Sequence, residues 1–482
     1  MVMVFSSVKF LLYFLPIFLI LYGLVPERIK NLVLLAGSLI FYALGDVKSL
    51  PLLMMSVLVN YFLGLRLGSG KGKRTENAPT GQGQKGGKRK KTNHRKYGKS
   101  SYERKRRSLF ILAVLFNVGI LAVYKYVIPG ILPLGISFYT FQVLSYLTDV
   151  YWGEEEKETS FVCFAAYIAM FPQLVSGPIV RYNEVRKALY ARKFTARGIQ
   201  DGLKFFTLGL VAKVLLADTV GSLWREVGMT GYESISTQLA WLAAIAYSMM
   251  IYFDFCGYSL MAVGLGRMLG FELPMNFKTP YMATTVRDFY RRWHMTLGRW
   301  FTRYIYIPLG GNRKGVFRTV LNLLVVWVLT AVWHGSTANF IIWGMILWLA
   351  IVIERQLEAA GLLRVLEQGP GKMLLHLYLW VIIPISWMCF EIVDVQELQI
   401  YLGRMFGLIP SVSASPGDWV RALEAYWWLF LAGFAACLPI VMKLFKRWKD
   451  TLPGAIILAA LFWLCVWRLQ MVGDNPFMYR GF

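Results

Sequence analysis

Apolar runs long enough to cross a hydrocarbon core, about 18 residues or more, recur along almost the whole chain. They cover 6–25, 29–45, 50–66, 108–128, 134–151, 160–177, 203–222, 237–269, 316–350, 372–392, 424–444 and 453–472. A backbone in lipid must satisfy its own hydrogen bonds, so only helices or closed barrels can use such runs. Continuous runs without apolar–polar alternation select helices. Of the 482 residues, 57% are hydrophobic and 16% charged, too little polar surface for a soluble globule of this length. The expected fold is an all-α polytopic membrane protein with about 11 to 13 transmembrane or re-entrant helices. The first run carries Lys9 ahead of its long apolar stretch but lacks a small-residue cleavage site, which reads as a retained span rather than a signal peptide. Cys163, Cys256, Cys389, Cys437 and Cys465 are dispersed without CxxC spacing, as packing residues rather than disulfides or metal ligands.

Charge locates the faces. Net charge is +25, and residues 71–107 hold fifteen Lys/Arg against two Glu. The Gly, Lys and Gln content of that segment predicts a disordered linker. Beside membrane spans its basic charge serves orientation and attraction to anionic lipid heads rather than nucleic acid. A cytoplasmic linker also places the loop with Arg28 and Lys30 inside. Segment 181–204 carries seven basic and two acidic residues and should be cytoplasmic too, which three full spans between 108 and 177 would forbid. Both "LPLGISF" and "FPQLVSGPI" hold Pro and Gly inside apolar runs. One of these segments is therefore expected to enter the membrane without crossing it.

Residues 284–308 read as one amphipathic helix lying along a membrane or cavity surface. Thr285 with Asp288 resembles a capping box, and Pro308 ends the element. Phe289, Tyr290, Trp293, Leu297, Trp300, Phe301 and Tyr304 fall on one arc, and Arg287, Arg291, Arg292, Arg299 and Arg303 on the other. His294 sits at the border, either as an interfacial hydrogen-bonding residue or facing a polar substrate. The turn "PLGGNRKG" after it lacks P-loop spacing. In "GLGRMLG", Gly266 and Gly270 read as small-xxx-small helix packing.

From Val316 to Ala350 the only ionisable side chains are Arg318 and His334. As one helix this run would be roughly 50 Å long, against a core of about 30 Å. A break at Gly335-Ser336-Thr337 would leave His334 deep in the membrane at the break. A charged imidazole there is costly, so it should be neutral, and a neutral imidazole can take a hydroxyl proton and return it. A histidine merely bonded to a carbonyl freed by the kink is the alternative. Asp254 in "YFDFCGYS" is a second buried polar group, able to orient a base or cap a helix. No GxSxG or HExxH occurs, and the four histidines are scattered, so serine-hydrolase and metal-site readings fail.

Residues 251–315, containing "TVRDFYRRWHMTLGRW" and "YIYIPLGGNRKG", and "VWHGSTANFIIWG" at 332–344, resemble the membrane-bound O-acyltransferase family, in its alginate O-acetyltransferase subgroup. "LPLGISFYTFQ" and "FPQLVSGPIVRYNEV" are similar to that subgroup as well. The resemblance implies a ring of helices around a thinned centre with a tunnel. It implies that His334 is catalytic and that His294 lies in the site region. It further implies transfer of an acyl group, acetyl above all, from a cytoplasmic thioester to hydroxyls of an extracytoplasmic polymer or partner protein. The donor would be acyl-CoA or an acyl carrier protein, with no bound cofactor or metal. An extracytoplasmic acetyltransferase or polymer-export protein would be the partner, and the plasma (inner) membrane the location. The expected organisation is N-terminal helices over 1–66, the linker over 67–107, a catalytic core over 108–350 and C-terminal helices over 351–482. Candidate substrate-binding residues are Asp254, Asn312, Arg313, Trp333 and Ser336, and either Asn312, Arg313 or a backbone N–H at the break could stabilise an oxyanion. Arg303 stands where the subgroup usually has Asp, and "STANF" and the terminal "FMYRGF" also depart from it, which bears on the acceptor and on partner docking. A transporter or channel without chemistry of its own, or a scaffold, remains the alternative.

Overall fold

The computed structural model describes residues 3–68, 96–128, 130 and 132–473, with backbone only for 96–100. Every regular element among them is helical. The N-terminal group is α1 (Phe10–Leu24), α2 (Lys30–Asp46), α3 (Leu50–Leu67) and α4 (Lys96–Ala122), whose last turn widens to a π-helix over Val123–Val127. Next come α5 (Ile136–Trp152), α6 (Phe161–Ala169), α7 (Phe171–Leu174), α8 (Tyr182–Ala191), α9 (Ala196–Val211) and α10 (Asp218–Thr230). The central helix α11 (Thr237–Met268) leads through an extended segment to α12 (Val286–Arg292) and α13 (Met295–Phe301). Then follow α14 (Gly315–His334), α15 (Ala338–Ala359), α16 (Leu362–Leu366), α17 (Gly371–Glu391) and α18 (Val395–Met405). The chain closes with α19 (Asp418–Cys437), α20 (Pro439–Trp448) and α21 (Leu452–Val472).

All twelve apolar runs appear as helices or broken helices. Among the described residues, seven helical stretches are long and apolar enough to cross a membrane, one of them α2 and α3 together (Glu27–Leu67), or eight if a bent pair counts as one. The remainder are short: 17-residue α5 rises about 25 Å, less than a full core. The bent pair is α19 and α20, turned by 76°. Leu438 is extended before Pro439 at the start of α20, because proline disfavours helical geometry in its predecessor.

The run 160–177 breaks at Met170 into α6 and the one-turn α7 and then returns. Its two ends meet: Glu158 accepts from Tyr182 Oη and, at 2.6 Å, from Tyr190 Oη. At the tip, Phe171 N donates to Ser38 Oγ at 3.1 Å, and Tyr167 Oη holds the returning strand at Val180 O, 2.9 Å. The two ends of 160–181 therefore lie together, the geometry expected of a segment that enters without crossing, and segment 181–204 packs beside 153–158. Arg106 ties the same face together by donating to Leu67 O, Val150 O and Tyr151 O at 2.9, 3.0 and 2.5 Å. That anchoring corrects the linker boundary, since α4 begins at Lys96 inside the segment read as disordered. Residues 69–95 of that linker, and the terminal "FMYRGF", lie outside the described residues.

The tightest helix pair is α9 with α11. A Cβ on Gly257 would stand 2.6 Å from Gly209 O, and one on Gly264 2.6 Å from Gly202 O. These glycines, and not Gly266 with Gly270, make the small-residue seam: Gly270 lies past the end of α11 with φ +84, and Gly266 packs on Leu273. The seam matters because α11 is the post on which the site is built.

Candidate functional site

The segment expected as one helix over 284–308 is two, and the break is the site. Thr285 Oγ1 caps α12 by accepting from Asp288 N at 3.0 Å, as its spacing predicts. Glu354 of α15 adds a second cap, accepting from Val286 N and Arg287 N at 2.5 and 3.0 Å. Trp293 is then extended and His294 left-handed, with φ 43 and ψ 52. A non-glycine residue held there costs on the order of 1–3 kcal/mol, which the surroundings must offset. The 271–285 segment does so: Lys278 N donates to Arg292 O at 3.0 Å and Met295 N to Asn276 O at 2.9 Å. The arc of aromatic residues still faces inward, with Phe289, Trp293, Leu297, Trp300, Phe301 and Tyr304 all buried. His294 leaves the border between faces and is buried with them.

Asn276 fixes the His294 imidazole. Its Oδ1 accepts from Thr296 N at 3.2 Å and Thr296 Oγ1 at 2.9 Å, and lies 3.1 Å from His294 Nδ1. A carbonyl oxygen can only accept, so Nδ1 carries the proton and Nε2 keeps its lone pair. Nε2 has no hydrogen-bond partner among the described residues, and Phe255 packs edge-on to the ring at 4.8 Å.

His334 is the last residue of α14, and the expected break follows it over 335–337. Gly335 is required by crowding rather than by its dihedrals, since a Cβ there would stand 2.2 Å from the Phe340 ring. The imidazole is buried between Trp343 and Phe390, both edge-on, with centroids at 5.1 and 4.9 Å.

The two histidines, forty residues apart in sequence, line one cavity of about 650 Å³. Its apolar wall includes Trp293, Phe301, Val326, Trp327 and Trp343, and six arginines also line it: Arg181, Arg287, Arg291, Arg299, Arg303 and Arg355. Three of these are neutralised locally. Arg287 pairs with Glu358 at 2.5 Å, Arg299 with Glu184 at 3.5 Å, and Arg303 with Asp149 at 3.1 Å and with Glu154. Arg181, Arg291 and Arg355 form no ion pair among the described residues. Arg355 lies seventeen residues along α15 from Ala338, about 25 Å from the level of the break. The cavity thus brings six arginines and two buried imidazoles together, with Arg355 far from the 335–337 break and Arg291 only three residues from His294.

The other expected site residues are elsewhere. Asp254 does not line the cavity; it pairs with Lys213 at 2.7 Å, both side chains 3% exposed, and Lys213 also holds Asp218 at 2.7 Å. A buried carboxylate needs a cation, and α9's extension supplies one. Asn312 and Arg313 are exposed in the polar turn and do not line the cavity, and Ser336 is exposed at the break. Trp333 is buried but faces away, against Phe141 at 5.4 Å and Trp300's cluster. Trp333 is not among the residues that line the cavity. Sequence reading missed Asn276, which carries no local signal, and Arg181 and Arg355, distant in the chain. It also missed Lys125, which lies inside an apolar run just as His334 does. Among the described residues, no group of three His, Cys, Asp or Glu side chains converges as a metal site.

Residues 154–361 match the model of the MBOAT, membrane-bound O-acyltransferase family. The chain is 35% identical over 440 residues to the probable alginate O-acetylase AlgI of Pseudomonas putida, covering 86% of this chain and 81% of that protein. It is 31% identical to the peptidoglycan O-acetyltransferase of Helicobacter pylori, covering 84% and 80%. The teichoic acid D-alanyltransferase of Lacticaseibacillus rhamnosus is 30% identical over 49% of this chain and 64% of its own length.

Proposed function

The chain belongs to the membrane-bound O-acyltransferase family, and from that premise we propose that it transfers an acyl group, acetyl in the first instance, from a cytoplasmic thioester to hydroxyls of an extracytoplasmic cell-envelope polysaccharide or of a partner protein that acylates it. It is an O-acyltransferase and a multi-pass membrane protein. The observation that carries the finer reading is the shared cavity, which six arginines line together with His294 and His334.

The arginines that line the cavity suit a donor whose handle bears phosphate, as acyl-CoA and the prosthetic arm of an acyl carrier protein both do, because guanidinium binds phosphate through charge-assisted hydrogen bonds. Arg181, Arg299 and Arg303 stand on the face that also gathers the start of α4 and segment 181–204, and its basic charge supports reading that face as the cytoplasmic one, in the plasma (inner) membrane. The apolar walls then exclude water from the thioester along the way to the imidazoles.

His334 acts as the base. As the acceptor hydroxyl oxygen attacks the thioester carbonyl, its proton passes to the imidazole. The tetrahedral intermediate then expels a thiolate, which takes the proton back and leaves the ester on the acceptor. His294, with Nδ1 committed to Asn276, presents Nε2 as a second acceptor lone pair beside it, suited to orienting the hydroxyl. Thiolate is a good leaving group, so deprotonation is the main demand on the protein.

The experiment supplies labelled acyl donor to membranes containing the wild-type or His334→Ala protein and scores label on polymer or partner. Loss of transfer by the variant is expected. Transfer at the wild-type rate by His334→Ala would remove this mechanism.

A further inference from the structure

The cavity explains where His334 faces but not what holds it. The residue ends a helix, and the last four carbonyls of a helix have no intrahelical donor. Here Gly335 N takes Ala331 O at 3.2 Å. The next two carbonyls are capped from another span: Tyr126 Oη donates to Val332 O, and Lys125 Nζ to Trp333 O. Lys125 Nζ also lies 5.5 Å from the centroid of the Trp333 ring. Both donors come from the π-helical turn Val123–Val127 that closes α4. A π-turn shifts the helical register by one residue, and such turns are enriched at functional sites. In this one it brings two successive side chains, Lys125 and Tyr126, onto two successive carbonyls of α14. The span that delivers them, Ser101–Val127, is apolar enough to cross the membrane, and a lysine kept in such a setting calls for a role.

We propose that Lys125 is a positioning residue for acyl transfer: with Tyr126 it clamps the carbonyl end of α14 and so sets the placement of the His334 imidazole. The clamp seizes the backbone at the two residues before the histidine, where Trp333 packs against Phe141. An ammonium group at a helix C-terminus is also favoured by the helix dipole, so the contact is stable without help from substrate. Lys125 does not line the cavity, so its route to the reaction runs through the end of α14. This inference rests on the reading of His334 as the base.

A structural prop and a positioning clamp are separated by kinetics. Lys125→Met, which keeps the stem but removes the charge and donors, is compared in membranes with wild type, Lys125→Arg and His334→Ala, using labelled acyl donor. The expected result is a kcat lowered by about tenfold or more in Lys125→Met, KM for the donor within about twofold, and recovery by Lys125→Arg to within about threefold of wild type. A kcat for Lys125→Met within about twofold of wild type, a loss confined to KM, or no recovery by Lys125→Arg would each overturn the proposal. If Lys125→Met fails to accumulate, Tyr126→Phe decides: it should lower kcat about threefold with KM unchanged, and an unchanged kcat overturns the clamp. Full transfer by His334→Ala would instead sink the proposed function itself. An inactive His334→Ala beside a fully active Lys125→Met sinks only the clamp.

Discussion

Asn276 Oδ1 and His294 Nδ1 lie 3.1 Å apart, joining the extended segment after α11 to the break between α12 and α13. Because Thr296 N donates to the same oxygen, the amide orientation and the imidazole tautomer are settled together.

Replacing Asn276 by Leu should therefore damage turnover rather than donor binding. The ring would lose its tautomeric bias and one restraint on the left-handed His294 backbone. We expect kcat to fall at least about tenfold with donor KM little changed, measured as steady-state transfer of labelled acyl groups. Wild-type kcat in Asn276→Leu would mean that His294 orientation is irrelevant.

The double variant Arg291→Ala/Arg355→Ala removes two of the three cavity arginines that form no ion pair among the described residues. If these take the phosphates of the donor, KM for donor rises about tenfold and kcat stays within about threefold. Added salt should raise the wild-type KM and affect the variant less. A variant with unaltered KM would exclude these two arginines as the donor's phosphate site.

Topology is open to cysteine labelling. With the native cysteines replaced, single cysteines at Glu156, Lys187 and Arg313 should react with an impermeant maleimide from one side of the membrane. A cysteine at Ser413 should react from the other. Labelling of Glu156 and Lys187 from opposite sides would show that 160–181 crosses, contrary to the Glu158–Tyr182 contact.

Asp254→Ala leaves Lys213 with Asp218 alone in a buried setting. The expected cost is about 3 kcal/mol of stability, read as a lower unfolding midpoint in detergent, with donor KM unchanged in the protein that remains folded. A raised KM without loss of stability would return Asp254 to the substrate site.

Much of this architecture was legible in the sequence because lipid leaves the backbone few options. Apolar runs had to be helices, and too many spans for the charge pattern required one to turn back. The break after His334 was readable for the same reason: 35 apolar residues exceed the core. The amphipathic arc from Phe289 to Tyr304 was also readable, but continuity was not. Periodicity reports which side is apolar and is blind to a single left-handed residue, since Trp293 and His294 keep their faces only roughly while the axis turns. Asp254 and Trp333 were misjudged because a buried polar or aromatic side chain in an apolar run says nothing about which neighbour will meet it.

The sequence by itself determined that this chain is a helical membrane protein, which face is basic, and that one imidazole stands where charge is hard to hydrate. Those follow from local composition and the price of an unsatisfied backbone in lipid. Only the tertiary structure decided that His294 joins His334 in one cavity, that Asn276 sets its tautomer, and that Lys125 reaches the end of α14. Such pairings join residues from 18 to more than 200 positions apart, and they depend on how helices pack against one another, which no local pattern encodes.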